Sequence, residues 1–270
     1  NATGPNLPTA AGQGPSLATW MPDAILDALA TEGIWLLALA AFLAGNVRGF
    51  AGFGTAMVYL PIAAQFLTPF EALTTLLVKE LVGPLIHVPR ALREGAPRDV
   101  LRLALGALIA VPFGVWVLSI ASAEAFRWGV SVIALILLCL LIGGFRYRGV
   151  LTRPLIYGAG ALGGFLAGCV GLPGPPVIML YMASANPPSV VRANLILYLI
   201  LADLIMLIVL ASAGFVVPTA LMLGALMILP YTLGNWTGAL LFRPGAEIVY
   251  RRVAYALIGT SAIMGLPIWT

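Results

Sequence analysis

Long apolar runs without charged residues alternate with short polar loops along this chain of 270 residues. A helix needs about 20 residues to cross roughly 30 Å of hydrocarbon, and several runs reach that length. The runs predicted to be single transmembrane helices are 70–89, 103–121, 126–145, 189–212, 217–241 and 248–268.

Two further stretches, 33–67 and 154–186, are too long for one straight span, since a helix of that length would run to about 50 Å. Gly and Pro, which stop helices, interrupt both stretches. The first interruption reads GNVRGFAGFG and ends at Gly54, and the second reads GLPGPP and begins at Gly171. We therefore predict two helical legs joined at a break in each stretch.

Composition narrows the class of protein. Charged residues make up only 9% of the chain and hydrophobic residues 61%. Soluble domains carry roughly a quarter charged residues and disordered chains lack apolar content, so both classes are excluded. Cys139 and Cys169 are too few for a disulfide scaffold, and the net charge of +4 comes from arginines in short loops. We predict an all-α polytopic membrane protein that contacts the lipid bilayer and no nucleic acid.

The arginines give the expected orientation in the membrane. By the positive-inside rule, the three arginine-rich loops are cytoplasmic. Two spans separate the first loop from the second, but three stretches separate the second from the third, so 154–186 must return to the cytoplasmic face as a hairpin. If 33–67 is built likewise from the opposite face, both termini are extracytoplasmic. The three loops hold Arg90, Arg93, Arg98 and Arg102, then Arg146, Arg148 and Arg153, then Arg243, Arg251 and Arg252.

Short sequence words recur in the two halves of the chain. Residues 42–45 and 165–168 both read FLAG, and MVY at 57–59 matches MLY at 179–181. We predict two inverted repeats, each a broken-helix hairpin plus three transmembrane helices. Such repeats are typical of secondary transporters, whose sites lie near the midplane. The predicted divisions are an extracytoplasmic segment 1–32, a first repeat 33–145, a cytoplasmic loop 146–153 and a second repeat 154–268.

Residues 42–69, with their FLAG, GFAGFG and tyrosine–proline elements, resemble the N-terminal signature of the sulfite exporter TauE/SafE family. This family is also called the toluene sulfonate uptake permease family. Residues 165–204 are similar to its second repeat, and the resemblance covers 33–268. It implies a multi-pass transporter of the bacterial inner membrane that moves sulfite, sulfonates and related organic anions.

The two breaks suit an anionic substrate. Helix legs that resume near Gly54 and Pro175 would present free N–H groups and the positive end of the helix dipole. Arg48, inside the first break, can hold an oxyanion through bidentate hydrogen bonds. The alternatives are that Gly and Pro only permit tight helix crossing, and that Arg48 pairs with an acid such as Glu80 or Asp203. The predicted substrate-binding residues are Arg48, Gly49, Gly52, Gly54, Thr55, Tyr59, Gly171, Gly174, Tyr181 and Asn194.

Three further ionisable residues, Lys79, Glu80 and Asp203, fall within predicted spans. We expect them to act in coupling or gating, because intramembrane charges are costly and usually functional. An internal salt bridge is the alternative for each. The lone histidine and the two cysteines lack ligand-spaced partners and no Walker motif is present, so we expect neither a metal nor a cofactor.

These observations favour a secondary transporter that exports a small sulfur-containing anion by alternating access, with the anion held at both breaks. Moving one negative charge outward down 100 mV releases about 2.3 kcal/mol and needs no cofactor. One alternative is an anion channel. Another is an intramembrane enzyme acting on a lipid, although the clustered acids that it would need do not stand out. A homodimer is compatible with the apolar surface.

Overall fold

The computed structural model describes residues 17–85, 88–144, 151–181, 186–241 and 247–268. Within these ranges the regular structure is entirely α-helical, which confirms the all-α prediction. Most of the predicted loop 146–153 and the first half of segment 1–32 lie outside the described residues. The helices are α1 Leu17–Leu29, α2 Ile34–Ala51, α3 Thr55–Ala63, α4 Pro69–Leu85, α5 Val88–Glu94, α6 Pro97–Ile120, α7 Ala123–Ile142, α8 Arg153–Val170, α9 Gly174–Tyr181, α10 Pro188–Ser212, α11 Pro218–Leu241 and α12 Glu247–Gly265.

Both long stretches are interrupted at their Gly/Pro runs. A glycine in the left-handed region follows the first helix of each pair, Gly52 with φ 79° after α2 and Gly171 with φ 69° after α8. The N–H of Gly52 donates to the carbonyl of Arg48 at 2.8 Å, which closes the last turn of α2. Because only glycine adopts this conformation without a Cβ penalty, the breaks follow from the local sequence.

By length and hydropathy, three of the described helices are able to cross a membrane alone, namely Pro97–Ile120, Ala123–Ile142 and Ser189–Ser212. The number rises to as many as five if each of two bent helix pairs forms one span. One of these pairs is α1 with α2, which meet at 82°. The predicted spans at 70–89, 217–241 and 248–268 coincide with α4, α11 and α12. None of these three helices is by itself both long enough and apolar enough to be counted as a membrane span.

Helices α6 and α8 pack in parallel along a stripe of glycines. Gly160 lies against Leu103, and Gly164 lies against Ala107 four residues further along both helices. A Cβ added to Gly160 would come within 2.7 Å of the Leu103 Cα, so the two backbones approach as closely as glycine allows. Small residues permit such crossings between membrane helices, where van der Waals packing replaces the hydrophobic effect.

Helices α2 and α11 form a second crossing of the same kind. Gly234 lies against Phe42, and Gly238 lies against Asn46, so these helices are also parallel. The Thr237 hydroxyl donates to the Asn46 Oδ1 at 3.1 Å across this contact. The first helix of each half of the chain is therefore packed on a late helix of the other half.

Two other contacts show that neighbouring helices run antiparallel. The rings of Phe70 and Phe215 stack at 3.9 Å with 4° between their planes, so α4 begins where α10 ends. The Phe66 ring lies against Gly33, so the chain that follows α3 has returned to the start of α2. One continuous hydrophobic core runs through both halves, from Ala28 to Ala262.

Candidate functional site

The two helix breaks face one small cavity. Its volume is about 50 Å³, and because a cavity needs about 10–15 Å³ of this kind to hold one water, it has room for a few water molecules. The lining residues are Arg48, Phe53, Gly54, Thr55, Ala56, Met57, Leu76, Glu80, Gly171, Leu172, Pro173, Gly174, Pro175, Ile178, Leu199 and Asp203.

Arg48 and Glu80 form an ion pair at the wall of this cavity. The Arg48 Nη1 donates to the Glu80 Oε2 at 3.2 Å, and the two side chains are only 15% and 11% exposed. The bond joins the last turn of α2 to the middle of α4. It uses one of the five N–H donors of the guanidinium, so further donors are available to an acceptor in the cavity.

Lys79 stands behind this pair and does not line the cavity. Its side chain is fully buried, with the Nζ 3.7 Å from the Glu80 Oε1. The ammonium lies over the rings of Tyr59 and Tyr231, at 4.3 and 4.6 Å from their centroids. Aromatic faces attract cations at this range. Lys79 and Glu80 thus point in different directions, as adjacent helical residues do.

The first break offers hydrogen-bond donors to the cavity. Gly54 has φ 94°, and α3 starts at the next residue, so the first N–H groups of α3 have no acceptor within the helix. The hydroxyl of Thr55 is buried and lies beside the hydroxyl of Tyr231.

The second break offers fewer donors. Helix α9 begins with Gly174, Pro175 and Pro176, and neither proline has an N–H group. Its positive helix end therefore faces the cavity with less hydrogen-bonding capacity than that of α3. The two breaks meet at one cavity, but they are not chemically equivalent.

The predicted site residues divide into three groups. Arg48, Gly54, Thr55, Gly171, Gly174, Glu80 and Asp203 line the cavity, whereas Tyr59 and Lys79 lie behind its wall.

Gly49, Gly52, Tyr181 and Asn194 are not among the lining residues. Gly49 packs on the α11 backbone at Asn235. The Asn194 Oδ1 accepts the N–H of Ala96 at 2.7 Å, just before α6, and the Tyr181 side chain lies in the same neighbourhood.

Sequence reasoning missed two kinds of residue. One is the apolar part of the lining, such as Leu76, Leu172 and Leu199, which carries no signal in a chain that is 61% hydrophobic. The other is Tyr231, whose ring covers Lys79 from α11. No pattern in the sequence links these two positions.

A larger cavity of about 330 Å³ lies between α5 and the start of α10. It is lined by Arg90, Glu94 and Arg192 among others and shares no residue with the smaller cavity. Arg90 is already paired with Glu94 at 2.7 Å and is 80% exposed. We therefore take the smaller cavity, with its buried charges, as the candidate site.

Comparison with known proteins adds independent information. The model of the family described as sulfite exporter TauE/SafE matches residues 37–265. A protein of Cupriavidus necator, named as a probable sulfite/organosulfonate exporter TauE, is 25% identical over 245 residues, which are 86% of this chain and 94% of that protein. No solved structure matches the chain.

Proposed function

The chain belongs to the sulfite exporter TauE/SafE family, and from this we propose that it is a secondary transporter that exports sulfite or small organosulfonates. The relative from Cupriavidus necator carries the corresponding name. The family is one of transporters, so the chain is not an enzyme, and the alternative of a lipid-modifying enzyme is set aside.

The observation that carries the proposed site is the meeting of both helix breaks and Arg48 at one cavity. Arg48 would turn guanidinium donors toward the anion, and the Thr55 hydroxyl and the first N–H groups of α3 would complete its hydrogen bonds. A sulfonate or sulfite group has three oxygens, which suits several donors that converge from one side.

Alternating access is proposed to operate between two inverted halves, 33–145 and 154–268. Three features support this division: α2 packs on α11 as α8 packs on α6, α4 runs antiparallel to α10, and one core spans both halves. Glu80 and Asp203, one from each half, line the cavity and are proposed to take part in coupling. We place the protein in the bacterial inner membrane, with the arginine-rich loops in the cytoplasm and both termini outside.

The test is anion flux in proteoliposomes that contain the purified protein. We expect saturable flux of sulfite, competed by methanesulfonate, and none in protein-free vesicles. Flux that rises linearly with concentration and produces single-channel currents would identify an anion channel instead. Absence of saturable flux for both anions would refute the proposed function.

A further inference from the structure

Lys79 is a buried cation whose role is not explained by contact with a substrate. Its side chain is fully buried, and its Nζ has no hydrogen-bond partner among the residues described. It does not line the cavity. An isolated ammonium away from water is very costly, so a buried one must be compensated by its surroundings.

The compensating groups come from three elements. The Glu80 Oε1 lies 3.7 Å from the ammonium, on α4 itself. Tyr59 of α3 and Tyr231 of α11 place their ring faces over it. Because α11 belongs to the other half of the chain, Lys79 is held from both halves.

Glu80 is shared between two cations. Its Oε2 accepts from Arg48 at 3.2 Å, and its Oε1 faces Lys79. Arg48 lines the cavity and Lys79 does not. Arg48 can therefore leave Glu80 for an anion, while Glu80 still keeps a cation beside it.

We propose that Lys79 is the fixed counter-charge of Glu80 and so allows Arg48 to exchange its carboxylate partner for the transported anion. The inference deepens the proposed function and rests on it. Lys79 is a positioning residue: it acts on the anion through the charge that it contributes, not through contact.

The charge count gives the expected effect. Arg48 and Lys79 contribute two positive charges, and Glu80 and Asp203 two carboxylates, so the set is neutral when both acids are ionised. Removing the Lys79 charge makes the set more negative by one unit before the anion arrives, whichever acids are ionised. Like charges repel strongly where water does not screen them, so anion affinity falls.

The experiment compares Lys79→Met, Glu80→Gln and the double variant with the wild-type protein in detergent. Binding of methanesulfonate, which carries one negative charge at any pH near neutrality, is measured by isothermal titration calorimetry. For Lys79→Met we expect a loss of affinity of roughly tenfold or more, the effect of one uncompensated charge at an effective dielectric constant of ~20. The double variant restores the charge balance and should bind methanesulfonate with an affinity within a few-fold of wild type.

Glu94→Gln, which removes a carboxylate from the α5 ion pair, is the matched control and should leave the affinity for methanesulfonate unchanged.

Two results would overturn the proposal. One is normal binding by Lys79→Met. The other is weak binding by both Lys79→Met and the double variant, which would indicate a structural role for the lysine.

Thermal unfolding without anion separates this inference from the proposed function. If the wild-type protein binds neither methanesulfonate nor sulfite, the proposed function fails. The unfolding temperatures then test separately whether Lys79 is the counter-charge of Glu80. If the unfolding temperature of the double variant falls by less than the sum of the decreases in the two single variants, the pairing of Lys79 with Glu80 is supported. If the decreases are additive, the pairing is refuted.

Discussion

Arg48 is the residue on which the proposed anion site depends, and two substitutions test it at different levels. Arg48→Ala removes both the charge and the donors, whereas Arg48→Lys keeps the charge but loses the planar fork. In the structure Arg48 gives one hydrogen bond to Glu80 at 3.2 Å, and it lines the cavity with its remaining donors.

The expected magnitudes follow from those contacts. A hydrogen bond to a charged group contributes about 1.5–3 kcal/mol, so losing a bidentate pair to the anion should cost at least ~3 kcal/mol, or roughly 100-fold in affinity. Arg48→Lys keeps one donor and should lose about half of that free energy, or roughly tenfold. Folding should suffer less than binding, because the Glu80 Oε1 still has Lys79 at 3.7 Å in either variant.

The assay is calorimetric titration of methanesulfonate into each purified variant, with the unfolding temperature as the measure of folding. Arg98→Ala removes an exposed arginine at the start of α6 and serves as the control. If Arg48→Ala binds the anion as tightly as the control, the anion site is elsewhere or is built from backbone alone. If Arg48→Lys binds methanesulfonate as tightly as the wild-type protein, a positive charge is sufficient and the proposed bidentate contact is wrong.

Two further predictions concern packing and capping. Gly160→Ala should lower the free energy of unfolding by about 1–3 kcal/mol, because its Cβ would come within 2.7 Å of the Leu103 Cα. Gly158→Ala in the same helix meets nothing within 4 Å and should be neutral or slightly stabilising, so equal unfolding temperatures for the pair would contradict the α6–α8 crossing. Asn194→Ala should cost about 1 kcal/mol of stability through the lost bond to the Ala96 N–H while leaving anion affinity unchanged. A specific loss of anion affinity in Asn194→Ala would place this residue at the substrate after all.

Much of the fold was predictable because the physics of a membrane chain is local. The Gly/Pro runs stop helices wherever they occur, so the breaks at Gly52 and Gly171 could be located from sequence. The predicted span at 70–89 covers α4 and the first residues of α5, and residues 86–87 between them lie outside the described part of the chain.

The candidate site was predictable only where charge made residues conspicuous. Arg48, Glu80 and Asp203 stand out in an apolar chain and line one cavity. Asn194 and Tyr181 stand out equally as polar residues, yet neither lines it. Asn194 instead binds the start of α6, because a buried amide satisfies whichever backbone group its helix happens to face. That choice depends on the packing of α10 beside α6, which no single segment encodes.

The crossing of α2 on α11 also has a consequence for how the protein is made. The Asn46–Thr237 hydrogen bond joins residues 191 positions apart. At ~5–20 residues per second, the ribosome delivers Thr237 roughly 10–40 s after Asn46. During that interval the glycine-rich face of α2 is in the membrane without α11, which has not yet been synthesised. The nascent first half should therefore depend on the insertion machinery or on lipid to shield it, and a chain truncated before α11 should be degraded rather than accumulate.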